Sequence, residues 1–250
     1  LFPSKYLLNT GSFHINMSSK ILDGKVCLIT GGAGGLGKAI AQTFLESGAK
    51  VVVSDINDDM IKGVVAELSA FGPFSAIKSD VTNEESAASL FAEIIKEHGQ
   101  VDVLVNNAGI MDRFDPVGDL DKKVWDKVIQ VNLTGPFIMT KLAVQHFLER
   151  KGPGSILNVG SVASIKGGAA GAAYTASKHG LLGLTKNTAA MYAKSGIRCN
   201  IIMPGGMATN IASAFAAGIN QTGYEVVMRQ QGATESPTCP LDQVGKVAAF

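Results

Sequence analysis

From residue 25 onward, short runs of β-branched and apolar residues alternate with longer stretches whose apolar positions recur every three or four residues. The short runs are KVCLIT (25–30), KVVVSD (50–55), FSAIKSD (74–80), VDVLVNNAG (101–109), GSILNVGS (154–161) and IRCNIIMPG (197–205). Between them helical spacing covers 35–48, 58–70, 83–98, 121–150 and 174–194. Strand, helix and strand in this repetition predict βαβ units: an α/β fold with a doubly wound, Rossmann-type parallel sheet and helices on both faces, three layers α/β/α. VVV and VLV are apolar at consecutive positions, as strands covered on both sides require. No repeat or low-complexity tract interrupts the pattern, so residues 21–250 read as one domain and residues 1–20 as a leader outside it. The stretch 206–235 is less regular and is expected to form a mobile lid.

Composition narrows the function. With 46% hydrophobic and 17% charged residues and 29 glycines in 250, the chain reads as a soluble, close-packed protein with many tight turns. A net charge of +1 with scattered basic residues gives no stripe to track phosphates, so no nucleic-acid partner is expected. No apolar run reaches the roughly 18–20 residues of a membrane span, and a soluble, cytoplasmic protein is expected. The opening residues lack the order of a secretory signal, and Met17 is a more natural start than Leu1, so 1–16 read as upstream sequence or a poorly ordered leader. Cys27, Cys199 and Cys239 have no metal-like spacing and read as reduced thiols, the first two buried. His14, His98, His146 and His179 show no ligand spacing either, so no metal is expected.

The candidate chemistry begins where the first strand runs into TGGAGGLG (30–37) and then a helix. Glycines there let backbone approach a pyrophosphate, and the free N–H groups and dipole of the helix start favour its charge. Asp55 closes the second strand, where a carboxylate accepts ribose hydroxyls and repels a 2′-phosphate. No Arg or Lys lies in the glycine loop or directly after Asp55, so NAD is expected over NADP.

Further motifs give the chain a family resemblance. Thr30, Gly31, Gly35 and Gly37, then Asn106, Asn107, Ala108 and Gly109, then Asn132 in VNLTGPF, Ser161 in NVGSVAS, and Tyr174 and Lys178 in YTASK follow in order. Pro204, Gly205 and Thr209 close the series, and Asp80-Val81 resembles a pair that flanks adenine. Residues 22–250 thus resemble the classical short-chain dehydrogenase/reductase family. The resemblance implies catalysis by Asn132, Ser161, Tyr174 and Lys178. It implies an NAD site built from Gly31, Gly34, Gly35 and Leu36, from Asp55, Ile56, Asp80 and Val81, and from Asn107, Ala108 and Gly109. Tyr174 and Lys178 complete that site together with Pro204, Gly205, Met207 and Thr209.

Tyr174 and Lys178, four apart on one helix, can address one cleft. A nearby ammonium and a cationic nicotinamide are expected to favour the phenolate, making proton transfer feasible near neutrality. By resemblance Lys178 also holds nicotinamide-ribose hydroxyls, Ser161 bonds the substrate oxygen, and Asn132 holds a water that links Lys178 to solvent. The implied reaction is hydride transfer between NAD and a secondary alcohol or ketone. The alternatives are a 3-oxoacyl-thioester reductase of the same family, against which Asp55 argues, and a non-catalytic NAD-binding scaffold. The small-molecule substrate itself is not specified by these motifs.

The helices at 121–150 and 174–194 are expected to form the surface of a homodimer or homotetramer, since 181–193 is apolar over much of its circumference and relatives pair through these helices. Trp125 is expected to anchor the first of them. Members of the family run on past a point equivalent to Phe250, through a seventh strand and a glycine-rich tail. The chain therefore reads as a fragment or as lacking its last sheet edge.

Overall fold

A computed structural model describes residues 20–209, 211, 215–216, 218–231 and 238–249. The expected leader lies almost wholly outside this range, as do parts of the expected lid, including Asn210 and Ser213. Six strands form one parallel sheet: β1 (Val26–Thr30), β2 (Lys50–Asp55), β3 (Phe74–Lys78), β4 (Val103–Asn106), β5 (Gly154–Val159) and β6 (Ile197–Ile202). Their order is β3-β2-β1-β4-β5-β6, and all five pairings are parallel. The chain reverses its direction of winding between β1 and β4, which opens a crevice beyond the carboxyl ends of those two strands.

Alternation along the strands feeds two cores. Val26, Leu28, Val52, Leu104 and Ile156 point to one face, where α3 (Glu84–His98) and α5 (Gly135–Glu149) bring Leu90, Phe91, Ile94, Met139 and Phe147. Cys27, Ile29, Val51, Val53 and Val105 point to the other, against Ile40 and Phe44 of α1 (Gly35–Glu46), Val64 and Leu68 of α2 (Asp58–Leu68) and Ala249 of α8 (Leu241–Ala249). Burial on both faces is why these strands carry apolar residues at consecutive positions. At the far end of the sheet from the crevice, buried Asp102 accepts the Val26 N–H at 3.0 Å and pairs with Arg150 at 3.1 Å, tying β1 to the end of α5. Cys27 and Cys199 are buried free thiols, and burial raises both.

Two expectations need correction, and one helix goes unread in the pattern. The helical stretch 121–150 is α4 (Lys122–Ile129), a π turn (Gln130–Thr134) and α5. Pro136 has no N–H to give the Asn132 carbonyl four residues back, so the regular ladder cannot run through this point. Trp125 therefore sits on the short α4, packed with Val128 against Ala163 and Ala173. Within the segment read as irregular, Gln221–Gln231 forms a helix, α7, held through Val227, which is 5% exposed, and Tyr224, which meets Phe114 edge-on at 5.2 Å. Finally, α8 lies beyond the elements read from the pattern; it packs closely on α1, where a Cβ at Gly245 would stand 2.7 Å from Thr43 Oγ1.

Candidate active site

The crevice is a cleft of about 830 Å³. Its floor is two turns locked together. The Thr30 hydroxyl accepts the N–H groups of Asn107 and Ala108, each at 3.1 Å, and Asn107 Nδ2 returns bonds to the Thr30 and Gly31 carbonyls at 2.9 Å. That closure leaves no room for side chains. A Cβ at Gly31, whose φ is +62°, would meet Ala108 Cα at 2.8 Å, and one at Gly37 would meet the Gly31 oxygen at 2.3 Å. α1 follows Gly34, which has no side chain to cap it, and among the described residues no side chain bonds its first N–H groups at the cleft.

Asp55 stands at one end of the cleft, held by the Ala33 N–H at 3.3 Å and the Asn57 N–H at 3.1 Å. The nearest strand lysine, Lys78, is committed to Asp58, and Lys38 to Glu67. Ile56, Asp80 and Val81 line the same end. Thr82 N–H and hydroxyl both bond Asp80 Oδ1, at 2.8 and 2.7 Å, which fixes that carboxylate.

The opposite wall is α6 (Ala172–Tyr192). Tyr174 and Lys178 both line the cleft, buried to 8% and 4% exposure, with Lys178 Nζ 5.5 Å from the phenol ring centre. Lys178 Nζ donates to the Val159 carbonyl at 2.8 Å, and burial pulls its ammonium down to about 8. Burial pushes the Tyr174 phenol up to about 12; a hydrogen bond with the Ser161 side chain works against that rise and the Asp112 charge adds to it. Desolvation of the buried phenolate is the largest of these influences.

Ser161 is set by a reciprocal cap: its Oγ accepts the Ala163 N–H at 3.1 Å while its own N–H reaches Ser164 Oγ at 3.2 Å. The Pro204 carbonyl accepts the next N–H, Val162, at 3.1 Å. Asn132 lies wholly buried behind the wall; its side chain clamps Ile110 through N–H to Oδ1 at 2.9 Å and Nδ2 to carbonyl at 2.8 Å, and also reaches Ser177 at 3.2 Å.

The structure therefore gathers Gly31, Gly34, Gly35, Leu36, Asp55, Ile56, Asp80, Val81, Asn107, Ala108, Gly109, Tyr174, Lys178, Met207 and Thr209 around one cleft. Asn132, Ser161, Pro204 and Gly205 stand off its wall, the first as a clamp and Ser161 beside the phenol. Motif reading passes over Asp112, whose buried carboxylate accepts the Tyr174 N–H at 2.8 Å. It passes over Arg113, Met111 and Ile110 on the wall as well. The available signal for Asp112 is indirect: α6 starts at Gly171, which has no side chain to cap it. Among the described residues no His, Cys, Asp and Glu group could hold a metal ion, and no helix is long and apolar enough to cross a membrane.

The sequence profile of the short chain dehydrogenase family matches residues 25–220. The chain belongs to this family. Among curated relatives, this dehydrogenase is 47% identical over 229 residues to the short chain dehydrogenase/reductase dpchG of Colletotrichum higginsianum, covering 90% of this chain and 85% of that one. It is 39% identical over 231 residues to 3beta-hydroxysteroid dehydrogenase 2 of Eggerthella lenta, covering 92% and 88%. Its fold matches the crystal structure of 3-ketoacyl-(acyl-carrier-protein) reductase from Brucella melitensis complexed with NADH, with TM-score 0.79, 27% identity, and coverage of 92% and 91%. The family makes this dehydrogenase an oxidoreductase that works with a nicotinamide cofactor.

Proposed function

We propose that this dehydrogenase oxidises a secondary alcohol, or reduces the matching ketone, with NAD(H) as cofactor. The observation that carries the reading is the Tyr174 phenol, buried at the cleft wall beside Ser161 and one helical turn from Lys178. The cleft fits a dinucleotide on its own geometry: glycines where any Cβ would clash, an α1 start without a side-chain cap, and a fixed carboxylate at the far end. Gly34, Gly35 and Leu36 would hold the diphosphate, Asp55 the adenosine ribose, and Lys178 the second ribose. The cofactor supplies the hydride acceptor or donor.

The chain's own groups handle the proton. Tyr174 Oη takes the hydroxyl proton of the alcohol, or returns it to the ketone, while the Ser161 hydroxyl donates to the substrate oxygen as charge develops there. A phenol held at about 12 is a reluctant base, so bound positive charge near Lys178 has to bring it down before turnover. Asn132, already spent on Ile110 and Ser177, keeps the cleft wall rigid beside Gly109.

Around Tyr174 the wall is apolar: Ile110, Met111, Val124, Val128 and Ile211. That wall favours a hydroxyl carried on an apolar frame, and the relative named for a 3β-hydroxysteroid agrees with it. NADH formation from a panel of 2-propanol, cyclohexanol and a 3β-hydroxysteroid tests the reading. Turnover rising along that panel is expected; no NADH formation with any of them overturns it. A second reading, 3-oxoacyl-thioester reduction, draws on the Brucella melitensis structure, and acetoacetyl thioester with NADH separates the two.

A homodimer through α5 and α6 belongs to the same proposal. Phe137 and Leu148 on α5 and Met191 on α6 are 47%, 43% and 69% exposed, the apolar side chains these helices would bring to a partner copy. Sedimentation of the wild type as a dimer and of Phe137→Glu as a monomer is expected; a wild-type monomer at micromolar concentration sinks it.

A further inference from the structure

The segment Asp112–Asp115 connects the cleft wall to the start of α6, and its polar groups go to the first turn of that helix. Asp112, with no exposed surface, accepts the Gly171 N–H at 3.2 Å on Oδ1 and the Tyr174 N–H at 2.8 Å on Oδ2. Its Oδ1 also accepts the Phe114 N–H at 3.2 Å, and the Asp115 carbonyl accepts the Ala172 N–H at 2.9 Å. Three N–H groups of the helix start are thereby satisfied by a loop some 60 residues earlier in the chain, a cap given in trans. Gly171 is the residue that permits it, since a Cβ there would stand 2.4 Å from Asp112 Oδ1. The loop pays in backbone strain: Phe114, bonded to Asp112, has a φ of +65°.

We propose that Asp112 is a positioning residue for Tyr174: its carboxylate fixes the height and rotation of the helix turn that carries the phenol and sets the charge that the phenol faces. The proposal rests on Tyr174 as the proton-transferring group. Among the described residues, the polar and charged groups around Tyr174 are those that follow, with Lys127 of α4 lining the same cleft. Ser161 bonds it from the turn after β5, Lys178 stands one turn along α6, and Asp112 stands behind it with Asp115 and Arg113, themselves 3.5 Å apart, in the same loop. His179, bonded to the Thr175 carbonyl, is exposed on another side of α6. Of these, Ser161 favours the phenolate and Asp112 opposes it. Asp112 therefore keeps the proton on Tyr174 until nearby positive charge draws it off, while holding the oxygen where substrate meets it.

Asp112→Asn retains one acceptor for the helix N–H groups and removes the charge. The test is a spectrophotometric titration at 295 nm of wild type and of Asp112→Asn, each minus the same protein carrying Tyr174→Phe. The Tyr174 midpoint is expected to move to lower pH in Asp112→Asn, by about half a unit to one unit. The acid limb of alcohol oxidation should move the same way, with kcat reduced at least about tenfold and the NADH dissociation constant within about threefold. Asp112→Ser, which keeps a short cap and no charge, should show the same midpoint shift. An unmoved midpoint with wild-type kcat overturns the proposal. So does equal loss of NADH binding and turnover at an unmoved midpoint, or failure of both variants to fold, because either assigns the carboxylate to the fold alone. If Tyr174→Phe keeps wild-type turnover, the reading of Tyr174 falls instead; an inactive Tyr174→Phe beside an unaltered Asp112→Asn overturns the role of Asp112 only.

Discussion

Two helices begin at the cleft, and they begin in opposite ways. Among the described residues α1 starts after Gly34 with no side chain bonded to its N–H groups, whereas α6 starts after Gly171 and is covered by the Asp112 carboxylate from a distant loop. An open helix start is a site for an anion. A covered one has its charge answered within the protein and is free to serve as a rigid mount. The cleft thus has a half that leaves backbone groups for a ligand and a half that spends them on holding side chains still. Asn57, Asn83 and Asp121 cap their own helices from within the chain's next turn, so the bare start of α1 is a local choice of this sequence and not a habit of it.

The sharpest way to break the comparison is to change the mounted half and look for damage in the open one. Tyr174→Phe should lower turnover by roughly 10²–10⁴-fold, the usual worth of a positioned proton-transfer group. NADH affinity, read by fluorescence titration, should stay within about threefold, because the diphosphate cradle lies across the cleft. Comparable loss in both would mean that the halves are not separable.

Gly37→Ala attacks the open half. The added Cβ would stand 2.3 Å from the Gly31 oxygen and 2.6 Å from Asn107 Nδ2, so the two interlocked turns must part. Overpacking of this kind costs about 1–3 kcal/mol, and nucleotide affinity should fall by about tenfold or more as the floor shifts. Retention of wild-type melting temperature and NADH affinity would show that the turns are looser than the distances indicate.

Asp55→Ala tests the far end of the same half. NAD should lead NADP in kcat/KM by at least about tenfold in the wild type, and the variant should narrow that lead, since the repelling carboxylate is gone while Lys78 and Lys38 remain paired elsewhere. Equal use of both cofactors by the wild type would remove Asp55 as the discriminator.

How much of this was legible in the chain follows the same division. Valine runs in β2 and β4 and the glycines after β1 announce the sheet and the floor, because burial on two faces and close backbone approach each demand particular residue types in consecutive positions. Tyr174 and Lys178 are legible through the family resemblance of the ordered motifs around them, and their four-residue spacing agrees with one shared cleft. The break of the long helix at Gln130–Thr134 had a signal in Pro136, but helical periodicity continues across it and hides the change of register. α7 gives a weak pattern, since among its described side chains Val227 is the buried one and its docking depends on Phe114, over a hundred residues earlier. Asp112 is least legible: a carboxylate in a loop looks solvated until Gly171 comes to lie against it.

The smallest predicted effect concerns Lys178 in the protein without nucleotide. Its ammonium is buried with the neutral Val159 carbonyl as acceptor, and burial lowers it from 10.5 to about 8. Below pH 8 both folded and unfolded chains carry this proton, and the folded state bears the full penalty of a buried charge. Between about 8 and 10.5 the unfolded chain keeps the proton that the folded chain has lost, so stability rises with pH across that window. Tyr174 works in the opposite sense above pH 10, where the unfolded phenol ionises and the folded one, held near 12, does not. The clean interval is therefore pH 8 to 10. Over it, the melting temperature of the wild type should climb relative to that of Lys178→Met, by about 3–5 °C per pH unit at most, the equivalent of about 1.4 kcal/mol in a chain of this size. Differential scanning fluorimetry of the two proteins at half-unit steps reads this directly. A constant difference would mean that the ammonium is not strained by its burial, and that the mounted half of the cleft holds its charge as easily as the open half is built to receive one.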